Sequence, residues 1–124
     1  MLNEVLIYSG SFMLLFWGVA HLFATRSVVA GFGLLSPDNR RIITMEWIIE
    51  GLSLMFIAAV VAVSTAIDQT SVVSGAVYWL SFAMLNILTI VSLFTGFKVN
   101  VLPFKLCPAI FTVASVLIVL GGTM

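Results

Sequence analysis

Two carboxylates, Glu46 and Glu50, stand four residues apart inside the run RRIITMEWIIEG from Arg40 to Gly51, where two arginines lead into apolar sequence. On a helix, positions i and i+4 share one face. Ionisable groups inside a membrane span are costly and by default mark a functional site. The only histidine, His21, lies near the end of an earlier apolar run, with Trp17 four residues and Gly18 three residues before it. Aromatic, small residue and imidazole therefore share a face, and Gly18 would let a neighbouring helix approach closely. Two nearby carboxylates in a low dielectric would share a proton, and an adjacent imidazole would extend a proton path or orient a polar head group. His21, Glu46 and Glu50 are thus the candidate ligand- or proton-binding residues, with Trp17 and Trp47 as walls and Arg40 and Arg41 as supporting charges.

The competing reading is structural: the two acids could form an ion-pair network with Arg40, Arg41 or the lysines, and His21 could be an interior histidine paired to a carboxylate or a carbonyl. No metal site is expected, because Glu-x-x-His is absent and a second histidine is lacking. With a single histidine, haem ligation is not indicated either. Cys107, the only cysteine, follows Lys105 at a membrane edge and reads as a small packed residue. No nucleophile motif or glycine-rich phosphate loop is present, so enzyme chemistry of the soluble type is unsupported.

The elements that must position these residues follow from composition. Of 124 residues, 62% are hydrophobic and only 8% charged, and the mean hydropathy is +1.25. This is the composition of an integral membrane protein rather than a soluble domain. Five basic and five acidic residues balance, so no charged surface points to nucleic acid. Four apolar runs are long enough to span, at about 5–24, 42–67, 72–94 and 104–120. They imply an all-α antiparallel four-helix bundle forming one membrane domain, with the bilayer as its surroundings. RSVVAGFGLL, from Arg26 to Leu35, is broken by Gly31 and Gly33 and suits a segment lying along the membrane surface or tucked against the bundle mouth. Ser36, Pro37 and Asp38 form a helix-start signal before the second span. Tyr78 and Trp79 suit an aromatic belt near the start of the third span, and Asn86 a helix-to-helix hydrogen bond. Pro108 either sits in a first turn or kinks the last span. Arg26, Arg40, Arg41, Lys98 and Lys105 all fall in or beside the first and third connections. The positive-inside rule then puts both termini on the non-cytoplasmic side and the His21, Glu46 and Glu50 level in the cytoplasmic leaflet.

Gly18, Val19, Ala20 and His21 at the end of a first span, a basic loop, and Glu50 and Gly51 inside the second resemble the DoxX-like group of small bacterial four-helix membrane proteins. The resemblance covers the first two helices. It implies a multi-pass protein of the bacterial inner membrane, and some relatives are associated with quinone-linked sulfur oxidation or membrane oxidoreductase complexes, which would imply an accessory or quinone-facing role. The expected function is therefore binding of a quinone, lipid or other amphipathic molecule, with a place in a larger membrane assembly. Alternatives are a proton-coupled transporter acting as a homodimer and a purely structural subunit. Size and span count also resemble the small multidrug-resistance transporters, but those carry their essential acid in the first helix, whose interior has none here.

Overall fold

The structure, a computed structural model describing residues 1–124, consists of four long helices: α1 (Leu2–Gly31), α2 (Pro37–Asp68), α3 (Val72–Phe94) and α4 (Leu102–Thr123). All four are long and apolar enough to cross a membrane. The order around the bundle is α1, α2, α3, α4, with α1 and α4 also in contact, while α2 and α3 meet less extensively. Neighbours run antiparallel, as two contacts for each pair establish: Gly18 with Gly51 and His21 with Trp47 between α1 and α2, Asn86 with Ser115 and Thr89 with Thr112 between α3 and α4, and Gly10 with Ala114 and Asn3 with Gly121 between α1 and α4.

The start of α2 follows the local chemistry of its sequence. Ser36 caps the helix by accepting from the Asn39 amide at 3.2 Å, and Pro37 occupies the first turn, where no amide donor is needed. The polar turn between α2 and α3 closes the same way, with Ser71 accepting from the Ser74 amide at 3.1 Å.

α1 departs from expectation beyond Thr25. Residues 26–31 are not a separate surface segment; they continue the helix. No breaker interrupts residues 26–30, and the stretch places Val29 among the buried residues. Just before it, Thr25 donates to the His21 carbonyl at 2.8 Å. The glycines end the helix rather than interrupt it, and Gly33 takes a positive φ of 75°, a conformation open to glycine without strain. With 30 and 32 residues, α1 and α2 measure about 45–48 Å, longer than the roughly 30 Å hydrocarbon core.

Tyr78 also corrects the sequence-based expectation. It is 1% exposed, and its hydroxyl pairs with that of Thr65 at 2.8 Å, so it belongs to the core, while its neighbour Trp79 faces outward. A phenol that finds a partner on the facing helix can be buried with its apolar ring. Asn86 does make the expected interhelical bond, from Nδ2 to Ser115 Oγ at 3.3 Å. Pro103 lies in the first turn of α4, and Pro108 lies within the helix, which continues through it.

The polarity of the bundle is that of a membrane protein. Ser11, Thr65, Ser74, Ser81 and Ser115 are buried, whereas Phe12, Phe16, Phe23, Phe56 and Phe94 are exposed. Only 25 of 124 residues are buried, so most apolar side chains depend on lipid for their apolar surroundings. Packing between helices must then come from close fit. A Cβ on Gly18 would stand 2.6 Å from the Gly51 carbonyl oxygen, and one on Gly51 would stand 2.8 Å from the Gly18 oxygen. Here α1 and α2 touch backbone to backbone. Gly18→Ala is therefore expected to destabilise the folded protein by about 1–3 kcal/mol, whereas Gly75→Ala, where nothing lies within 4 Å, should cost nothing. Thermal unfolding of both variants in the same detergent checks this, and equal loss in the two would contradict it.

Candidate functional site

The Gly18–Gly51 contact sets the distance at which side chains one turn away on α1 and α2 meet. His21 is three residues beyond Gly18, and Glu50 immediately precedes Gly51. His21 is 2% exposed, and its Nε2 lies 3.6 Å from Glu50 Oε1. The sequence-based pairing of His21 with an α2 acid thus holds for Glu50.

The imidazole is held on every side. Its Nδ1 donates to the Trp17 carbonyl, four residues back on the same helix, at 2.9 Å. A carbonyl can only accept, so the proton resides on Nδ1, and Nε2 is the nitrogen turned towards Glu50. Trp47 stacks on the ring with centroids 4.5 Å apart and planes at 26°, while Trp17 meets its edge at 5.8 Å and 73°. Trp47 also donates its indole N–H to the His21 carbonyl at 2.7 Å, the same oxygen that accepts from Thr25. The ring on α1 and the indole on α2 are thereby locked to each other by one polar and one stacking contact. Both tryptophans are walls of this pocket, as their spacing implied.

Two polar atoms within this environment have no hydrogen-bond partner: Nε2 of His21 and Nε1 of Trp17. Unsatisfied buried nitrogens are uncommon, and each calls for a physical reason. The 3.6 Å approach of Glu50 is too long for a hydrogen bond to Nε2.

Glu46 stands apart. It is exposed and takes no part in the His21 cluster. It does share with Glu50 a cleft of about 390 Å³ that opens between α2 and α3, with Trp47 and Phe104 at one end and Ile57, Met84 and Leu88 along its length. The cleft exists because α2 and α3 make the least extensive contact of the neighbouring pairs. Glu50, with its side chain 38% exposed, is the one acid that belongs to both the cleft and the buried pocket.

Arg40 and Arg41 are exposed at the start of α2, and neither forms an ion pair with the glutamates. Arg41 instead lies 3.6 Å from Asp38. Both arginines precede Glu46 by more than one turn and reach outward at the helix end, so the ion-pair network considered from the sequence does not form. Lys105 likewise turns to the Phe97 carbonyl, at 3.0 Å.

Cys107 is the small packed residue that the sequence suggests, and what the sequence does not show is its neighbour. The thiol is buried on α4, and its Sγ, His21 Nε2 and a Glu50 oxygen all lie within 4.8 Å of one another. One signal for it was available: in an antiparallel bundle the end of α1 and the starts of α2 and α4 share a level. Nothing in the spacing around Cys107 showed which way it would face.

Comparison of the chain with protein-family models, with curated proteins and with solved structures finds no match. Function is therefore read from the site itself. Trp47→Phe, which keeps an aromatic ring but removes the N–H bond to the His21 carbonyl, should cost about 1 kcal/mol, and Trp47→Ala about 3–5 kcal/mol. Denaturant titration followed by circular dichroism would check the ranking; equal costs would show that the stack contributes nothing.

Proposed function

We propose that this chain is a multi-pass membrane protein that binds a quinone, a lipid or another amphipathic molecule in the cleft between α2 and α3. The observation that carries the reading is the cleft's composition. It is walled almost entirely by apolar side chains, and its acids, Glu46 and Glu50, stand one helical turn apart on one wall. Such a cleft would hold a chain or ring in its apolar part and fix a polar head at the carboxylates. Hydrogen-bond donors, such as a quinol hydroxyl, and cationic groups are the head chemistry that ionised carboxylates favour; a quinone carbonyl would be held by a protonated acid.

The position of the acids supports binding over a purely structural role. A structural network would pair both carboxylates, yet Glu46 has no ion-pair partner and Glu50 only a 3.6 Å contact with His21. An acid left open on an apolar cleft is available to a ligand.

In the proposed setting, the bacterial inner membrane, the basic residues define the orientation. Arg26, Arg40, Arg41, Lys98 and Lys105 gather at the end of the bundle where α1 ends and α2 begins. By the positive-inside rule that end is cytoplasmic, both termini are on the other side, and the cleft opens in the cytoplasmic half of the bilayer. Assembly with a second copy or with a larger membrane complex is part of this reading, since the cleft lies on the lateral surface.

Native mass spectrometry with lipid and quinone extraction on gently solubilised protein tests the proposal. The wild type should retain a defined small molecule that a folded Glu46→Gln, Glu50→Gln double variant loses. No retained molecule in the wild type, or equal retention in both proteins, would overturn it.

A further inference from the structure

The buried pocket behind the cleft brings together an imidazole nitrogen, a carboxylate oxygen and a thiol from three different helices: His21 on α1, Glu50 on α2 and Cys107 on α4. We propose that these three side chains bind a divalent transition-metal ion of the zinc type. The site shares Glu50 with the cleft, but His21 and Cys107 do not line that cleft, so metal binding is read apart from cleft occupancy through those two residues.

Four features of the geometry converge on a metal. The first is the orientation of the histidine. Its Nδ1 proton is committed to the Trp17 carbonyl at 2.9 Å, so Nε2 is the nitrogen that faces Glu50 and Cys107 and, in the neutral ring, would offer its lone pair to a metal. Metal-ligating histidines nearly always donate their other ring N–H to a carbonyl or carboxylate in this way, which fixes both tautomer and ring plane. Trp47 and Trp17 complete that restraint by stacking and edge contact.

The second is that His21 is only 2% exposed and its buried Nε2 has no hydrogen-bond partner. A buried, unpartnered nitrogen beside two potential ligands is an atom that a metal would satisfy.

The third is distance. With zinc-to-nitrogen and zinc-to-oxygen bonds of about 2.0–2.1 Å and zinc-to-sulfur of about 2.3 Å, tetrahedral ligand atoms stand about 3.3–3.6 Å apart. The 3.6 Å between Nε2 and Oε1 is long for a hydrogen bond and close to this value. All three donor atoms lie within 4.8 Å of one another, so side-chain rotation can bring the set into contact with one ion.

The fourth is charge. A dipositive ion with one thiolate, one carboxylate and one neutral imidazole forms a site of zero net charge. Among low-dielectric surroundings this is the arrangement with the smallest desolvation cost, and it provides Glu50 with the counter-charge that no arginine or lysine supplies.

The donor set also selects the ion. A thiolate with an imidazole favours borderline-soft metals over magnesium or calcium, which take oxygen ligands only. Three protein ligands leave a fourth position for water or another donor, as in zinc sites that are not purely structural. The thiol now donates only a weak 3.4 Å contact to the Pro103 carbonyl; binding would release its proton to solvent and form the metal–sulfur bond in its place.

Metal content of the full chain, purified in detergent and dialysed against zinc and then against metal-free buffer, tests the site. About one zinc per chain is expected in the wild type, and cobalt substituted for it should give a thiolate-to-cobalt absorption in the near ultraviolet. Cys107→Ala and His21→Gln should each weaken zinc by more than the roughly 10- to 100-fold that follows loss of a group that only orients a ligand. Glu46→Gln, which alters the cleft and not the cluster, should bind zinc as the wild type does. A wild type that binds no zinc, lacks the cobalt–thiolate band, or binds no more tightly than folded Cys107→Ala overturns the proposal. The cobalt band is read on the wild type alone, so the test stands even where a variant fails to fold. Loss of ligand retention in the Glu46, Glu50 double variant with zinc absent from the wild type would sink this inference and leave the cleft reading intact.

Discussion

The contact on which the rest of the structure depends is the meeting of two backbones at Gly18 and Gly51. In a bilayer, lipid tails are as apolar as leucine side chains, so burying apolar surface gives helices little reason to associate. Close van der Waals fit and hydrogen bonds must supply that reason. Removing the Cβ from both helices at one level lets them approach to direct contact, and everything within one turn of that level is then held at short range. His21 Cβ would itself lie 3.0 Å from a Cβ on Gly51. A wider spacing would leave the indole of Trp47 short of the His21 carbonyl and the carboxylate of Glu50 short of the imidazole.

The same logic is repeated around the bundle in different chemical terms. Small residues bring α1 against α4, with Gly10 against Ala114 and Gly121 against the Asn3 carbonyl. Polar pairs join the other faces: Thr65 with Tyr78 between α2 and α3, and Asn86 with Ser115 and Thr89 with Thr112 between α3 and α4. Bonds of this kind contribute about 1 kcal/mol or less each in membranes, since the separated helices also find partners. Their greater effect is on register. A hydroxyl or amide has one satisfactory position on its neighbour, whereas apolar side chains slide with little penalty.

These constraints leave one place where the packing relaxes. α2 and α3 have a tight polar clasp near their shared turn, at Thr65 and Tyr78, and separate towards the other end, where Glu46 and Glu50 face the opening. Glu50 sits on the boundary: one side looks into the cleft and the other into the pocket of His21 and Cys107. A chemical event in either compartment would thus be felt at the same carboxylate. The rigidity of the aromatic cage around His21, and the openness beside Glu46, place a fixed group and an accessible one within one helical turn.

The sequence alone determined the quantities that depend on local composition and local geometry. Hydropathy marked four spans, Ser36 and Pro37 marked the start of α2, and i+4 spacing put Trp17 with His21. Equal depth along antiparallel helices brought His21 to the level of the α2 acids, and Gly18 marked the face of close approach. Tertiary structure decided which face each helix turns inward, because all sides of these helices are apolar enough for lipid and periodicity carries little information about direction. For that reason Tyr78 is in the core rather than at the interface, Glu46 opens on the cleft while Glu50 reaches His21, and the arginines stay outside. It also explains why Cys107, unremarkable in its own segment, arrives beside the imidazole. The end of α1 shows the limit from the other direction: Gly31 and Gly33 read as breaks in a separate segment, but residues 26–31 continue the helix, with Val29 buried. The local glycines end that helix, while the burial of Val29, which depends on the rest of the bundle, is what the stretch by itself does not show.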